Sequence, residues 1–149
     1  KWDLIEKNNK SVKEYSDKVL EELPFLEFAP IHYVSALSGQ RIHQTLKKIL
    51  EVEEEAKKRI PTSKLNKFLE KAVQKFPPSH SSGKHVKIFY CTQINVQPPV
   101  FVYFCNNPDY VTVHYKRYLK NQLRKEFVFK GTSIKQKFRG RGKNEIYDN

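Results

Sequence analysis

Two groups of residues in this chain of 149 have types and spacings that could do chemistry. The first is cationic: between Tyr115 and Lys143 the sequence reads YKRYLKNQLRKEFVFKGTSIKQKFRGRGK. Lys116, Arg117, Lys120, Arg124 and Lys125 fall largely off an apolar stripe, and Lys135, Lys137, Arg139 and Arg141 alternate with Ile134, Gln136, Phe138 and Gly140. Ammonium and guanidinium heads in such rows can hold the phosphates of a polyanion, or can simply form a solvated charged face. The second group is Lys1 and Asp3 with Ser35, Ala36 and Leu37. A carboxylate such as Asp3 can accept two hydrogen bonds from the N1 and N2 edge of guanine, an edge adenine does not offer, while a lysine stem covers the ring. A Ser-Ala loop can present backbone N–H to guanine O6, where adenine carries an amine donor and is refused.

These residues need elements to hold them. Val111, Tyr115, Tyr118, Leu119, Leu123 and Phe127 recur every three or four positions, so a helix with one buried stripe is expected between Pro108 and Phe127. After a turn at Gly131, period-two alternation from Ile134 predicts a strand with one wholly cationic face. Upstream, Val12, Tyr15, Val19 and Leu23 line one side of a helix from Ser11 to Leu23 that Pro24 stops. Ile31 to Val34 reads as a short buried strand delivering the Ser35-Ala36-Leu37-Ser38-Gly39 loop. A second helix, Gln40 to Ile60, buries Ile42, Leu46, Ile49, Leu50, Ala56 and Ile60. Pro61 interrupts it, and Thr62 or Ser63 can cap a third helix along Leu65, Phe68, Leu69, Ala72, Val73 and Phe76. A turn-rich loop follows from Pro77 to Gly83; then Val86 to Ile94 and Val100 to Cys105 read as two strands of a hairpin joined through Gln97-Pro98-Pro99. The expected boundary at Pro61 divides the chain into residues 1–60 and an α-β-β-α-β unit of residues 61–149.

The charge divides at the same place. Of 28 Lys and Arg and 16 Asp and Glu, residues 1–60 hold 11 of each, so the whole net charge of +12 belongs to the second part. A segment so charged repels itself, and a phosphate-rich partner, RNA or DNA, is the expected reason. An anionic membrane is the competitor; no lipidation motif or long apolar run supports it, and no signal peptide is present, so a cytoplasmic protein is expected. Cys91 and Cys105 lie in apolar strand-like runs without CxxC spacing and read as buried free thiols in a reducing compartment. His32, His43, His80, His85 and His114 are scattered without metal-ligand spacing, and Glu51, Glu53, Glu54 and Glu55 form a solvated face. Tyr90, Tyr103 and Phe104 could stack bases, although strand aromatics more often belong to a core. No nucleophile-base arrangement is present. A chain without methionine that opens at Lys1 reads as part of something longer.

Lys1-Trp2-Asp3, a helix, a strand, SALSG and a helix together resemble the closing part of a Ras-like, translation-factor-class GTPase domain, with KWD as the remainder of an Asn-Lys-x-Asp motif. The basic unit resembles the C-terminal KH-like domain of the bacterial double-GTPase family Der, also called EngA. The resemblance spans essentially the whole chain. It implies an α/β portion of a P-loop GTPase domain followed by an α+β KH-like domain. It also implies a parent that binds GTP or GDP with Mg²⁺ and acts in large-subunit ribosome assembly, with ribosomal RNA and the parent's own GTPase domains as partners and no membrane. Guanine recognition is thereby carried onto Lys1, Asp3, Ser35, Ala36 and Leu37. Two departures stand. No GxxxxGK[ST] loop occurs, so this stretch alone should not hydrolyse GTP; no GXXG occurs either, so RNA would be met through phosphate contacts by Lys116, Arg117, Lys120, Arg124, Lys135, Lys137, Arg139 and Arg141, not by the usual KH grip. The alternative is a standalone noncatalytic RNA-binding or protein-interaction module.

Overall fold

The computed structural model describes residues 1–6, 11–78 and 85–140. Arg141, the last cation of the expected basic strand, and His80 in the expected loop lie outside them. Two compact units are present, the first Lys1–Ala56 with Lys130–Ser133, the second Lys57–Phe129 and onward from Ile134.

The second unit runs α3 (Thr62–Lys75), β1 (Ile88–Asn95), β2 (Val100–Cys105), α4 (Val113–Phe127) and β3 (Lys135–Gly140), the α-β-β-α-β order of the sequence. The sheet order is β1-β2-β3, with β1 antiparallel and β3 parallel to the central strand. A parallel pair cannot be joined by a tight turn, and α4 makes the crossover between β2 and β3. One sheet face carries Cys91, Phe101, Tyr103 and Cys105 into a core with Leu65, Phe68, Leu69 and Ala72 of α3 and Tyr115, Leu119 and Leu123 of α4. Their spacing on α3, at i, i+3, i+4 and i+7, is the helical stripe expected. Phe76, at the end of that stripe, is instead exposed, and Tyr115 and Tyr118 donate their hydroxyls to the Phe76 and Ala72 carbonyls at 3.0 and 2.9 Å. The first bond gives a partner to the Phe76 carbonyl just past the end of α3; the Ala72 carbonyl also accepts from the Phe76 N–H at 3.1 Å and so carries two bonds.

The β1 edge is guarded from within the unit. The Cys91 N–H donates to Asn66 Oδ1 at 2.9 Å, and Arg59 reaches the Gln93 carbonyl at 3.4 Å. Buried Gln93 accepts from Ile60 N–H at 2.8 Å and donates to the Lys58 carbonyl at 2.9 Å, which ties the segment before α3 to the sheet. A paired polar group of this kind avoids the penalty of burial without partners.

Two expected helix starts shift. Pro61, not Thr62 or Ser63, stands at the α3 N-cap with no side-chain cap bond; its carbonyl accepts from Lys64 and Leu65 at 3.0 and 3.1 Å. The basic helix begins at Val113, because Pro108–Tyr110 forms a separate 3₁₀ turn and Thr112, in an extended conformation, caps the helix by accepting from the Tyr115 N–H at 3.2 Å. At its other end Val128 has φ +70° and ψ −78°, and Phe129 N–H donates to the Phe127 carbonyl at 3.1 Å. That is a γ-turn of the strained, positive-φ kind, here on a β-branched residue. It turns Phe129 into the core, edge-on to Phe101 at 5.7 Å.

The first unit holds α1 (Ser11–Glu22) and α2 (Ile42–Lys57) with 3₁₀ turns at Trp2–Leu4 and Pro24–Leu26. Gly131, at φ +72°, donates its N–H to the Phe28 carbonyl at 3.0 Å, and a Cβ there would lie 2.5 Å from Val52 Cγ2. Two expectations fail in this unit. Ile31–Val34 is not a strand, since among the described residues no neighbouring strand offers it a ladder. The α2 stripe is not buried: Leu46, Ile49 and Leu50 are 58%, 57% and 61% exposed, and no residue of α2 is fully buried. The periodicity correctly reports an amphipathic helix, but spacing alone does not bury its apolar face. On α1, Val12 is likewise exposed, as is Leu23 one residue past its end.

Relief of the γ-turn is measurable. Val128 is itself exposed, so Val128→Gly loses little packing and removes strain, and should stabilise the second unit by about 1 kcal/mol after the entropy cost of glycine; a lower denaturation midpoint would contradict the strain. A second expectation concerns pH. Burial pushes the Cys91 thiol from an ordinary 9.0 up to about 12, and burial also raises Tyr103 and Tyr115. Above pH 9 the unfolded chain releases protons that the folded chain retains, so stability should fall as pH rises from 9 toward 12. Urea midpoints at pH 8 and pH 10.5 check the sign, and native Cys91 should resist thiol reagents at pH 8.

Candidate functional site

The residues expected to meet guanine lie in the first unit, where backbone contacts hold them. Trp2 N–H donates to the Val34 carbonyl at 2.9 Å, and Leu4 N–H donates to the Lys1 carbonyl at 3.1 Å. These bonds set Lys1 and Asp3 beside the residue that leads into Ser35. Trp2 anchors the arrangement: its ring is buried, tilted on Tyr33 at 4.4 Å between centroids and edge-on to Tyr15 at 5.6 Å. Tyr33 and Ser16 of α1 share a hydroxyl hydrogen bond of 2.9 Å, which fixes the ring that Trp2 packs on.

Ser35 is fully buried, and its own N–H donates to the Gln40 carbonyl at 3.3 Å. Its Oγ accepts from the Ser38 N–H at 3.2 Å, closing a compact turn with Ala36 and Leu37 at the tip; Leu37 is 88% exposed. Gly39 at φ +67° and Arg41 at φ +62° then redirect the chain into α2. The serine thus shapes the loop from inside, while Ala36 and Leu37 present its outer surface. Asp3 is half-buried and Lys1 exposed. Sequence reasoning did not assign Trp2 a role; the signal available was a lone tryptophan between two polar residues.

The cations of the second unit do not share one surface. The β2–β3 register pairs Val100 with Lys135, Val102 with Lys137 and Phe104 with Arg139, so these three cations share the sheet face turned away from α3 and α4. Lys116, Lys120 and Arg124 follow one another at i, i+4 along a flank of α4, with Arg117 and Lys125 farther out and exposed. Lys116 Nζ lies 5.3 Å from the centre of the Phe138 ring, within reach of its π face. Arg124 donates from Nη1 to the Phe129 carbonyl at 2.9 Å and so braces the γ-turn. Burial pulls Arg124 down from the ordinary guanidinium range, and burial with the neighbouring Arg124 charge does the same to Lys120.

Of the aromatic candidates, Tyr103 is wholly buried in the core, stacked on Phe138 at 4.9 Å, and is not accessible to a base. Tyr90 and Phe104 lie on the other face. Both cysteines are free and buried. Among the described residues no group of three or more His, Cys, Asp or Glu could hold a metal ion, and no helix is long and apolar enough to cross a membrane. A groove of about 430 Å³ between α3 and β1, lined by Ser63, Asn66, Val73, Gln74 and Phe89 among others, had no sequence signature.

Residues 59–139 match the family model described as the KH-domain-like region of EngA bacterial GTPase enzymes, C-terminal. The chain belongs to this family. Relatives named GTPase Der are similar along nearly the whole chain. The Caldanaerobacter subterraneus protein is 43% identical over 144 residues, covering 97% of this chain and 33% of the relative. The Moorella thermoacetica protein is 46% identical over 139 residues, covering 93% and 32%, and the Desulforamulus reducens protein is 42% identical over 146 residues, covering 98% and 33%. The chain therefore spans about a third of the length of the curated relatives it matches. Within the family, the mixed α/β unit with its three-stranded sheet is the KH-like part.

Because Trp2 is the sole tryptophan and belongs to the first unit, its fluorescence reports that unit alone. With an apolar helix face exposed there, the Trp2 signal should change at a lower urea concentration than the far-UV signal of the sheet unit. Coincident transitions would show that the two units unfold together.

Proposed function

We propose that this chain is the C-terminal portion of a GTP-binding ribosome-assembly factor acting in large-subunit biogenesis, with residues 1–60 closing a GTPase domain and residues 61–149 contacting ribosomal RNA. The observation that carries the reading is the Trp2–Val34 hydrogen bond, which sets Lys1 and Asp3 against the Ser35–Leu37 loop. Asp3 would accept from guanine N1 and N2, the Lys1 stem would cover the ring, and the backbone at Ala36 and Leu37 would meet O6. Phosphate and Mg²⁺ contacts would come from segments other than those in this chain, which has no phosphate loop. The exposed face of α2 and the extended segment Ile31–Val34, which has no strand neighbour among the described residues, support the same reading, since each is what a domain portion offers to the rest of its sheet.

The charge of the second unit supports the RNA contact. Lys135, Lys137 and Arg139 in one row and Lys116, Arg117, Lys120 and Arg124 in another can meet phosphates without a GXXG loop. A cytoplasmic location follows from such a partner. Some of these cations can also serve contacts to the parent's GTPase domains, and competition by free RNA distinguishes the two roles.

The test uses Asp3→Asn in a polypeptide that carries a phosphate loop ahead of Lys1. An amide donates where the carboxylate accepted, so GTP affinity should fall at least about 10-fold through loss of charge-assisted bonds. Xanthine, whose C2 carbonyl accepts from that amide, should bind better than to the unaltered protein. Unchanged GTP affinity would remove Asp3 from the site. Loss of large-subunit co-sedimentation on neutralising the cations is the corresponding expectation for the RNA contact.

A further inference from the structure

The sheet face turned away from the helices combines two features that neither row of cations has alone. Tyr90 and Phe104 are directly opposite each other in the β1–β2 register, and their rings stack at 4.4 Å between centroids and 14° between planes. Phe104 is in turn opposite Arg139, so tyrosine, phenylalanine and arginine form one row across three strands. The next row is Thr92, Val102 and Lys137, and Val100 pairs with Lys135 beyond it. Val100 and Val102 are buried, which leaves the ring pair as the accessible aromatic surface; Tyr90 is 39% exposed. No residue of β1, β2 or β3 is acidic. Strands about 4.8 Å apart place the β3 cations roughly 10 Å from Tyr90, a span that two or three nucleotides cover.

We propose that this sheet face binds single-stranded RNA, with an unpaired base stacked on the Tyr90–Phe104 ring pair and the backbone phosphates held by Lys135, Lys137 and Arg139. The proposal rests on the RNA-contacting reading above and adds to it a place and a strand type. Every base has a π face, so the platform favours unpaired RNA over duplex and discriminates little among sequences. A protein ligand with acidic side chains would satisfy the cations but would leave the stacked rings without a planar partner. The helix-side cations Lys116, Lys120 and Arg117 play no part in this contact.

The test is binding of the full chain to a fluorescent single-stranded uridine decamer across a salt series, with an RNA duplex as comparison. Tyr90→Ala should weaken decamer binding by about 5- to 100-fold while leaving the salt slope unchanged, and Tyr90→Phe should restore it. Lys137→Gln should weaken binding and reduce the slope of log K against log salt by about 0.7. Thermal denaturation of each variant separates binding from folding. Equal binding of duplex and decamer, or a Tyr90→Ala variant that binds like the parent chain, would overturn stacking while leaving a phosphate contact intact. Loss of binding confined to Lys116→Gln and Arg117→Gln would move the contact to α4 and overturn the site. No RNA binding by the unaltered chain would overturn the RNA reading itself, as would displacement of an acidic peptide alone.

Discussion

The parallel pairing of β3 with β2 is the constraint on which the second unit depends. Such a pair needs a crossover, α4 supplies it, and the apolar stripe of α4 must then cover one face of the sheet together with α3. Phe101, Tyr103 and Cys105 are committed to that covered face, and β2, flanked on both sides, is apolar almost throughout. The alternation of β3 follows without further choice. Phe138 turns to the helices and stacks on Tyr103, so Lys135, Lys137 and Arg139 must turn the other way. The distribution of positive charge over two separate surfaces is therefore a consequence of strand register, not an arrangement added to the fold.

The first unit is organised on a different principle. Its described residues contain no sheet, and their one buried large side chain is Trp2, held between Tyr15 and Tyr33. What this unit fixes well is local: the bond from Trp2 to Val34, the serine-centred turn at Ser35, and the left-handed residues Gly39 and Arg41. These are short-range hydrogen bonds and turn conformations that need little supporting core. The Ser35–Gly39 loop can thus keep its shape on a unit whose helix α2 leaves most of its apolar face uncovered.

Where the sequence was legible, a local pattern met a complete environment. The α3 and α4 stripes, the apolar run Val100–Cys105 and the alternation in β3 each encode their own packing, and each appears within a few residues of its expected place. The failures have one cause in common. Ile31–Val34 has the composition of a strand, but a strand exists only with a hydrogen-bonding neighbour, and composition does not supply one. Leu46, Ile49 and Leu50 have the spacing of a buried face, but spacing says which side of a helix seeks cover, not whether cover is present. The helix starts moved for a smaller reason: Pro108 opened a separate turn, and the Thr112 hydroxyl took the capping role downstream of it. At the candidate site the residue types were legible and the anchor was not, because Trp2 acts through burial and through its backbone N–H, neither of which its identity announces.

The cations themselves show why net charge is an incomplete guide to binding. Arg124 belongs to the excess of positive charge, yet its guanidinium is half-buried and spends a hydrogen bond on the Phe129 carbonyl, where the chain passes through a strained γ-turn. Partial burial disfavours its charged form and that of Lys120, so part of the charge works against its own desolvation to hold the end of α4. Lys116 lies against the face of the Phe138 ring. Lys135 and Lys137, by contrast, are exposed, next to strands that carry no acidic residue. An anion drawn to Arg124 competes with a bond the fold already uses. For that reason the density of charge along α4 is a poorer guide to accessible charge than the sparser row on β3.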